Sequence, residues 1–149
     1  MNIIEALTET KLQTEVFYDL TPSDLSKSYG AHKWTIQEIL VHLADAESVL
    51  HERIKRIICE PKQVIWAFRQ DDWSKQLDYA HFPLHLSKQL YLANRSSILY
   101  LAEKFYSSHG KKEFVHSETG LRTLQDEFDK VAIHNQGHIA QIVAALNRP

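Results

Sequence analysis

Glycine and proline are so scarce in this chain that they divide it into long uninterrupted stretches. The 149 residues include four glycines and four prolines, and residues 31–60 contain neither. Because both residues favour turns and weaken helices, stretches without them favour long helices. No segment shows a convincing alternation of apolar and polar residues with a period of two, as a half-buried strand would. The chain is therefore predicted to be all-α.

The spacing of apolar residues predicts four amphipathic helices, at about residues 2–20, 35–59, 84–108 and 123–146. Thr35 and Glu38 form a capping box at the start of the second helix, and Thr123 with Asp126 forms a weaker analogue before the fourth. Residues 60–82 lack the pattern and are interpreted as an ordered crossover with about one helical turn. Four such helices predict an antiparallel four-helix bundle with this longer crossover between helices 2 and 3.

The same spacing predicts which side chains face the core and which face solvent. The apolar stripe assigned to the first helix consists of Ile3, Leu7, Leu12, Val16 and Leu20. The charged residues assigned to the solvent side of the second helix are Glu47, Glu52, Arg53 and Arg56.

Length, charge and apolar content narrow the classes of protein to which the chain can belong. A chain of 149 residues can bury about two-thirds of its unfolded surface, so one domain over residues 1–149 is expected to fold without disulfides. The net charge is -2 and no basic stripe is present, so nucleic acid is not expected as a partner. Long apolar runs are absent and residues 1–5 lack signal-peptide features, so no membrane association and a cytoplasmic location are expected.

Histidine is the unusual feature of the composition, with nine residues in the chain. His134 and His138 lie four residues apart in the fourth predicted helix, which places both imidazoles on one face, where they could chelate one ion. Val131 precedes His134 by three residues on the predicted buried face, so both rings are predicted to point into the bundle. Gly137 lies between them, and its cost of about 1 kcal/mol in a helix indicates either a tight helix crossing or a site.

A third ligand on the second helix could be His42 or His51. His42 has Ile39 and Ala46 as core-side neighbours, whereas polar residues surround His51, so His42 is predicted to face in and His51 out. Three imidazoles without a fourth protein ligand leave an open coordination position, which is typical of catalytic sites. The alternative interpretation is a set of hydrogen-bonded core histidines without any metal.

Several segments resemble motifs of the DinB/YfiT-like superfamily, in the same order and with similar spacing. The two main segments are residues 34–47 (WTIQEILVHLADAE) and residues 134–142 (HNQGHIAQI). Residues 71–73 (DDW) and 116–124 (HSETGLRTL) extend the resemblance over nearly the whole chain. Each motif is modest, but their order and spacing together are specific.

The resemblance implies a four-helix bundle in which one histidine of the second helix and two of the last bind a divalent metal. Carried over to this chain, those ligands are His42, His134 and His138. The ion could be Zn²⁺, Ni²⁺, Fe²⁺ or Mn²⁺, because three imidazoles accept all of them. The resemblance also implies a small-molecule substrate, and a homodimer is expected because relatives pair through an exposed helix face.

Members of the family use the metal in different ways, so the resemblance leaves the reaction open. Some are S-transferases or isomerases that use a low-molecular-weight thiol such as bacillithiol, mycothiol or glutathione, and many are named only as metal-dependent hydrolases. Activation of a thiol is slightly favoured over activation of water, because it has the better characterised relatives. The alternative is a non-catalytic, stress-related bundle with a structural or vestigial metal. A metal-free interaction module is the least favoured hypothesis.

Three further residues near the predicted site have two interpretations each. Asp45, three residues after His42, could orient that imidazole or be a solvated charge on the helix face. His116 could reach the metal site as a hydrogen-bond donor or proton shuttle, but an exposed loop histidine is the favoured interpretation. Trp73 could line a substrate pocket or anchor the crossover on the bundle.

Overall fold

A computed structural model describes residues 2–60 and 62–149, which form six helices and three short strands. Met1 of the predicted amino-terminal segment and Pro61 of the predicted crossover lie outside the described residues. The helices are α1 (Ile3–Phe17), α2 (Pro22–Leu25), α3 (Ile36–Cys59), α4 (Gln70–Gln76), α5 (Leu84–Phe105) and α6 (Leu124–Leu146). The strands are β1 (Val64–Ile65), β2 (Glu113–His116) and β3 (Gly120–Thr123).

Side-chain caps determine where α3 and α6 begin. The Thr35 hydroxyl accepts a hydrogen bond from the Glu38 backbone N–H, and the Glu38 carboxylate accepts one from the Thr35 N–H. Thr123 and Asp126 form the same reciprocal pair before α6. Both predicted capping boxes are confirmed, since each satisfies backbone donors that the first helical turn leaves unpaired.

The long helices α1, α3, α5 and α6 form the predicted four-helix bundle. Both α1 and α3 pack against α5 and α6. Contacts between α3 and α5 advance together along both helices, from Ser48 with Asn94 to His51 with Ser97, so these two run in the same direction. The long connection between them makes this arrangement possible. Contacts between α3 and α6 advance in opposite directions, so these two are antiparallel.

A small three-stranded sheet lies outside the sequence-based prediction. Strands β2 and β3 form an antiparallel hairpin in which His116 pairs with Gly120, and β1 adds parallel to β2. Gly120 has a φ of 75°, a left-handed conformation that glycine adopts without strain. The predicted crossover therefore contains both β1 and the seven-residue α4, not one helical turn. Strands of two to four residues are too short for alternation to be detected in the sequence. Such strands pair because of tertiary contacts.

Several face assignments made from apolar spacing are wrong. On α1, Leu12 and Val16 are 60% and 61% exposed, whereas Thr10 and Thr14 are buried. On α3, Glu47 and Arg53 are buried rather than solvated. Among the described residues, every helix is too short or too polar to cross a lipid bilayer.

Gly137 does not mark a tight helix crossing. The residue is exposed within α6, and a Cβ added there would meet nothing within 4 Å among the described residues. The close-packing interpretation of this glycine is therefore wrong.

Candidate metal centre

Three histidines from two helices converge within the interface between α3 and α6. The Nε2 atoms of His42 and His134 lie 3.0 Å apart, and those of His138 and His134 lie 3.1 Å apart. One ligand nitrogen from each ring can be chosen so that all lie within 4.8 Å of one another. The i, i+4 spacing on α6 brings two of the rings together, and the packing of α3 against α6 adds His42.

Hydrogen bonds between the rings cannot account for both of these short Nε2–Nε2 distances. An imidazole nitrogen either carries one proton or presents one lone pair. Because His134 Nε2 contacts two other Nε2 atoms, at most one of the two contacts is a hydrogen bond. Nitrogens at about 2.1 Å from a tetrahedral Zn²⁺ lie about 3.4 Å apart, within a few tenths of an ångström of these separations. The three rings therefore fit a divalent ion.

The environment keeps these rings neutral, as metal ligation requires. Burial, and then the neighbouring His134 and His138, lowers the pKa of His42 to about 2. Burial, and then His138 and nearby cations, lowers the pKa of His134 to about 3. The pKa of His138 is also lowered by burial. Lone pairs on His42 and His134 are thus available well below neutral pH.

The low pKa values predict a pH-dependent stability for the metal-free protein. The unfolded rings bind protons near pH 6.5, but the folded rings of His42 and His134 do not until about pH 2 to 3. The unfolded state therefore binds more protons below about pH 6.5, and the free energy of unfolding falls by about 1.4 kcal/mol per pH unit for each such histidine. The free energy of unfolding is thus unaffected by these two rings above about pH 6.5 and decreases as the pH is lowered below that value.

Urea denaturation of chelator-treated protein between about pH 7.5 and pH 5 measures this dependence. A His134→Gln variant is the control, because it removes one of the neutral rings and should show a shallower slope. Equal slopes in the two proteins would contradict the assignment of a low pKa to His134.

Residues around the three histidines orient and shield them. His138 Nδ1 lies 2.8 Å from Gln141 Oε1, so Nδ1 carries the proton and Nε2 presents its lone pair toward the other two rings. The Phe68 ring stacks on His42 with an interplanar angle of 2°, and the Trp34 ring lies 4.9 Å from that of His42. Gln141 was not predicted from the sequence, although its position three residues after His138 on the same helix was a usable signal.

His42 is the most enclosed of the three rings. It is fully buried, and its Nδ1 has no hydrogen-bond partner among the described residues. A buried ring nitrogen without a partner destabilises the folded state, so another interaction of this ring must compensate for that cost. Ligation of a metal ion through Nε2 would provide the compensation.

Residues 6–142 of the chain match the sequence profile of the DinB superfamily. The chain belongs to the DinB superfamily. Two proteins of Oceanobacillus iheyensis, each named "putative metal-dependent hydrolase", are similar to this DinB protein. They are 26% and 27% identical to it over 94% and 99% of its length, which corresponds to 80% and 84% of theirs.

A solved structure with the same fold is that of YfiT from Bacillus subtilis, described as a probable metal-dependent hydrolase with an unusual four-helix bundle topology. It superposes with a TM-score of 0.85 at 24% identity, covering 95% of this chain and 82% of that one. At this identity the likeness establishes the fold of the DinB chain.

Two other α3 residues of this DinB protein lie apart from the three-histidine cluster. His51 is half-buried between α3 and α5, where its ring nitrogens contact Asn94 and Ser97 at 2.9 and 2.8 Å. The prediction that His51 faces solvent is wrong, but its exclusion from the cluster is right. Asp45 accepts a hydrogen bond from the Tyr79 hydroxyl at 2.5 Å, and among the described residues it makes no hydrogen bond to His42.

The other two predicted residues of the DinB site lie on the approaches to the histidines. His116 is only 7% exposed, so the favoured interpretation of an exposed loop histidine is wrong. It lines a cavity of about 200 Å³ together with His134. The Trp73 ring packs edge-on against Phe68, which in turn stacks on His42.

A second cavity of this DinB protein, of about 580 Å³, has none of the three histidines in its lining. Trp66 and Trp73 line it, and Trp66 is 78% exposed. It shares Phe68, Ala67 and Arg53 with the smaller cavity beside His134. The two cavities are therefore neighbours on one side of the candidate metal centre.

Proposed function

We propose that this chain is a metal-dependent hydrolase of small molecules, in which His42, His134 and His138 hold one divalent ion. The observation that carries the proposal is the convergence of three neutral imidazoles whose ligand nitrogens lie within 4.8 Å of one another. The names of the relatives from Oceanobacillus iheyensis support the same chemistry. An ion held by three imidazoles keeps an open position and lowers the pKa of a bound water to about 7.

The chain's own residues supply orientation, shielding and access. The hydrogen bond between His138 and Gln141 holds that ring with Nε2 toward the site. Phe68 and Trp34 cover His42 and exclude water from that side. The cavity of about 200 Å³ beside His134 admits a small substrate and is below the size of a typical drug-binding pocket.

Transfer of a thiol is the second candidate, since a thiolate would occupy the same open position as hydroxide. The neighbouring cavity of about 580 Å³ favours this candidate, because its size suits a cofactor bound in addition to the substrate. A low-molecular-weight thiol such as bacillithiol is the proposed cofactor in that case. Hydrolysis is preferred because it needs no second molecule and agrees with the names of the relatives.

Parallel activity panels test the proposal. Protein loaded with Zn²⁺, Ni²⁺, Mn²⁺ or Fe²⁺ is assayed with ester and amide substrates, and separately with bacillithiol and a model electrophile. We expect hydrolysis that rises between about pH 6 and pH 8, as the bound nucleophile ionises. It should disappear in a His138→Ala variant and in the presence of a chelator.

The possible outcomes separate the hypotheses. Turnover only in the thiol panel would replace the hydrolase by an S-transferase. No turnover above His138→Ala in either panel, while chelation still lowers the melting temperature, would favour the non-catalytic metal protein and overturn the proposal.

A further inference from the structure

His116 occupies an unusual position for a histidine in a turn. It ends β2 and is 7% exposed. Its Nδ1 atom accepts hydrogen bonds from the backbone N–H groups of Glu118 and Thr119, at 3.2 and 3.3 Å. The hairpin turn therefore uses this nitrogen as an acceptor.

This use of Nδ1 determines the proton on the other nitrogen. A neutral imidazole whose Nδ1 is an acceptor carries its proton on Nε2 and is a donor there. Among residues 2–60 and 62–149, no hydrogen bond to His116 Nε2 is present, and the ring lines the cavity that also reaches His134. Burial, and then the charges of Lys130 and Arg53, lowers the pKa of His116, so the ring stays neutral.

Lys130 is a second donor on the wall of the same cavity. It precedes His134 by four residues on α6, so both side chains lie on the same face of the helix. Within the described ranges its ammonium makes no ion pair, whereas the other cation of the cavity, Arg53, is paired with Glu127 at 3.3 Å. Glu118 also lines the cavity, but among the described residues it forms no ion pair with Lys130. A divalent ion held by the three histidines would add positive charge beside this cavity.

We propose that His116 and Lys130 recognise a carboxylate on the substrate in the cavity beside His134. His116 donates its Nε2–H to one carboxylate oxygen, and Lys130 supplies the positive charge. Among the described groups that line this cavity, His116 presents a ring N–H without a protein acceptor and Lys130 a cation without an ion pair, and a carboxylate can accept a hydrogen bond from each of them. This inference rests on the proposed function, since it places the substrate next to the ion.

A matched pair of substitutions separates the two roles of the ring. In His116→Asn, the amide oxygen takes the place of Nδ1 as the acceptor for the turn, but the Nε2 donor is lost. In His116→Gln, the longer side chain places an amide N–H near the position of Nε2, but the turn loses its acceptor. His116→Asn should therefore keep the stability of the wild type and lose carboxylate binding. His116→Gln should be less stable than the wild type and keep carboxylate binding.

The probe is acetate added to Co²⁺-loaded protein, followed by the visible absorption of the Co²⁺ ion and by titration calorimetry. We expect His116→Asn and Lys130→Met each to weaken acetate binding by about tenfold, the effect of losing a hydrogen bond or charge at a charged group. His116→Gln should bind acetate within about twofold of wild type. All three variants should bind Co²⁺ as tightly as wild type, because none of them removes a proposed ligand.

Two results would overturn the inference, and they are distinguishable. Tightly bound Co²⁺ with equal acetate affinity in wild type and His116→Asn would overturn it while leaving the proposed function intact. Failure of the wild type to bind Co²⁺ at all would overturn the proposed function and the inference together.

Discussion

Alanine in place of His42, His134 or His138 is expected to abolish metal binding. The protein as purified should contain about one divalent ion per chain. Each substitution should lower the affinity by more than about a hundredfold, since even residues that only support a ligand contribute tenfold to a hundredfold. Elemental analysis of the purified proteins and calorimetric titration of the metal-free proteins measure the effect.

His51→Ala is the matched control for these substitutions. His51 lies on the same helix as His42 and is half-buried, but its nitrogens contact Asn94 and Ser97. The control should therefore retain the metal. Equal metal contents in wild type and His134→Ala would place the ion elsewhere. Absence of metal from every protein, with no effect of a chelator on the wild type, would favour the alternative of metal-free core histidines.

Replacement of Arg95 is expected to produce the largest loss of stability. Arg95 is fully buried and donates hydrogen bonds to the carboxylate of Glu47, the carbonyl of Leu7, the hydroxyl of Thr10 and the amide of Asn135. It therefore links α5 to α1, α3 and α6. Arg95→Leu should lower the free energy of unfolding by about 3 to 5 kcal/mol, because it leaves a carboxylate buried without its partner.

Urea denaturation followed by circular dichroism measures this loss, and two variants serve as controls. Arg56→Leu breaks exposed pairs with Glu52 and Glu60, each of which should cost no more than about 1 kcal/mol. The double variant Arg95→Leu, Glu47→Leu should recover much of the loss, since it removes both buried charges. A loss in Arg95→Leu as small as that in Arg56→Leu would show that the buried network contributes little.

The Arg95 network explains why apolar spacing assigned the wrong faces on α1 and α3. Thr10 faces the interior because its hydroxyl accepts from Arg95, and Thr14 does so because it accepts from Asn135. Glu47 is buried for the same reason. A pattern of apolar residues within one helix cannot reveal these positions, because each depends on a partner on another helix. The charged residues were assigned to solvent on their polarity alone.

The hairpin and the position of His116 were also beyond prediction from local patterns. Strands β2 and β3 have four residues each, too few for alternation to be a reliable signal. Their pairing buries His116, which as part of an isolated loop would be exposed. Its two hydrogen bonds to the turn exist only when the hairpin has formed.

Local sequence signals were sufficient to predict the four long helices, the capping boxes at Thr35 and Thr123, and the inward orientation of His42. These features depend on residues within one or two helical turns, where spacing and capping act directly. The convergence of His42 and His134 joins residues 92 positions apart, and the burial of Arg95 with Glu47 joins residues 48 apart. Only the packing of α3 against α5 and α6 determines such contacts, because the energy that favours them arises between helices and not within any one of them.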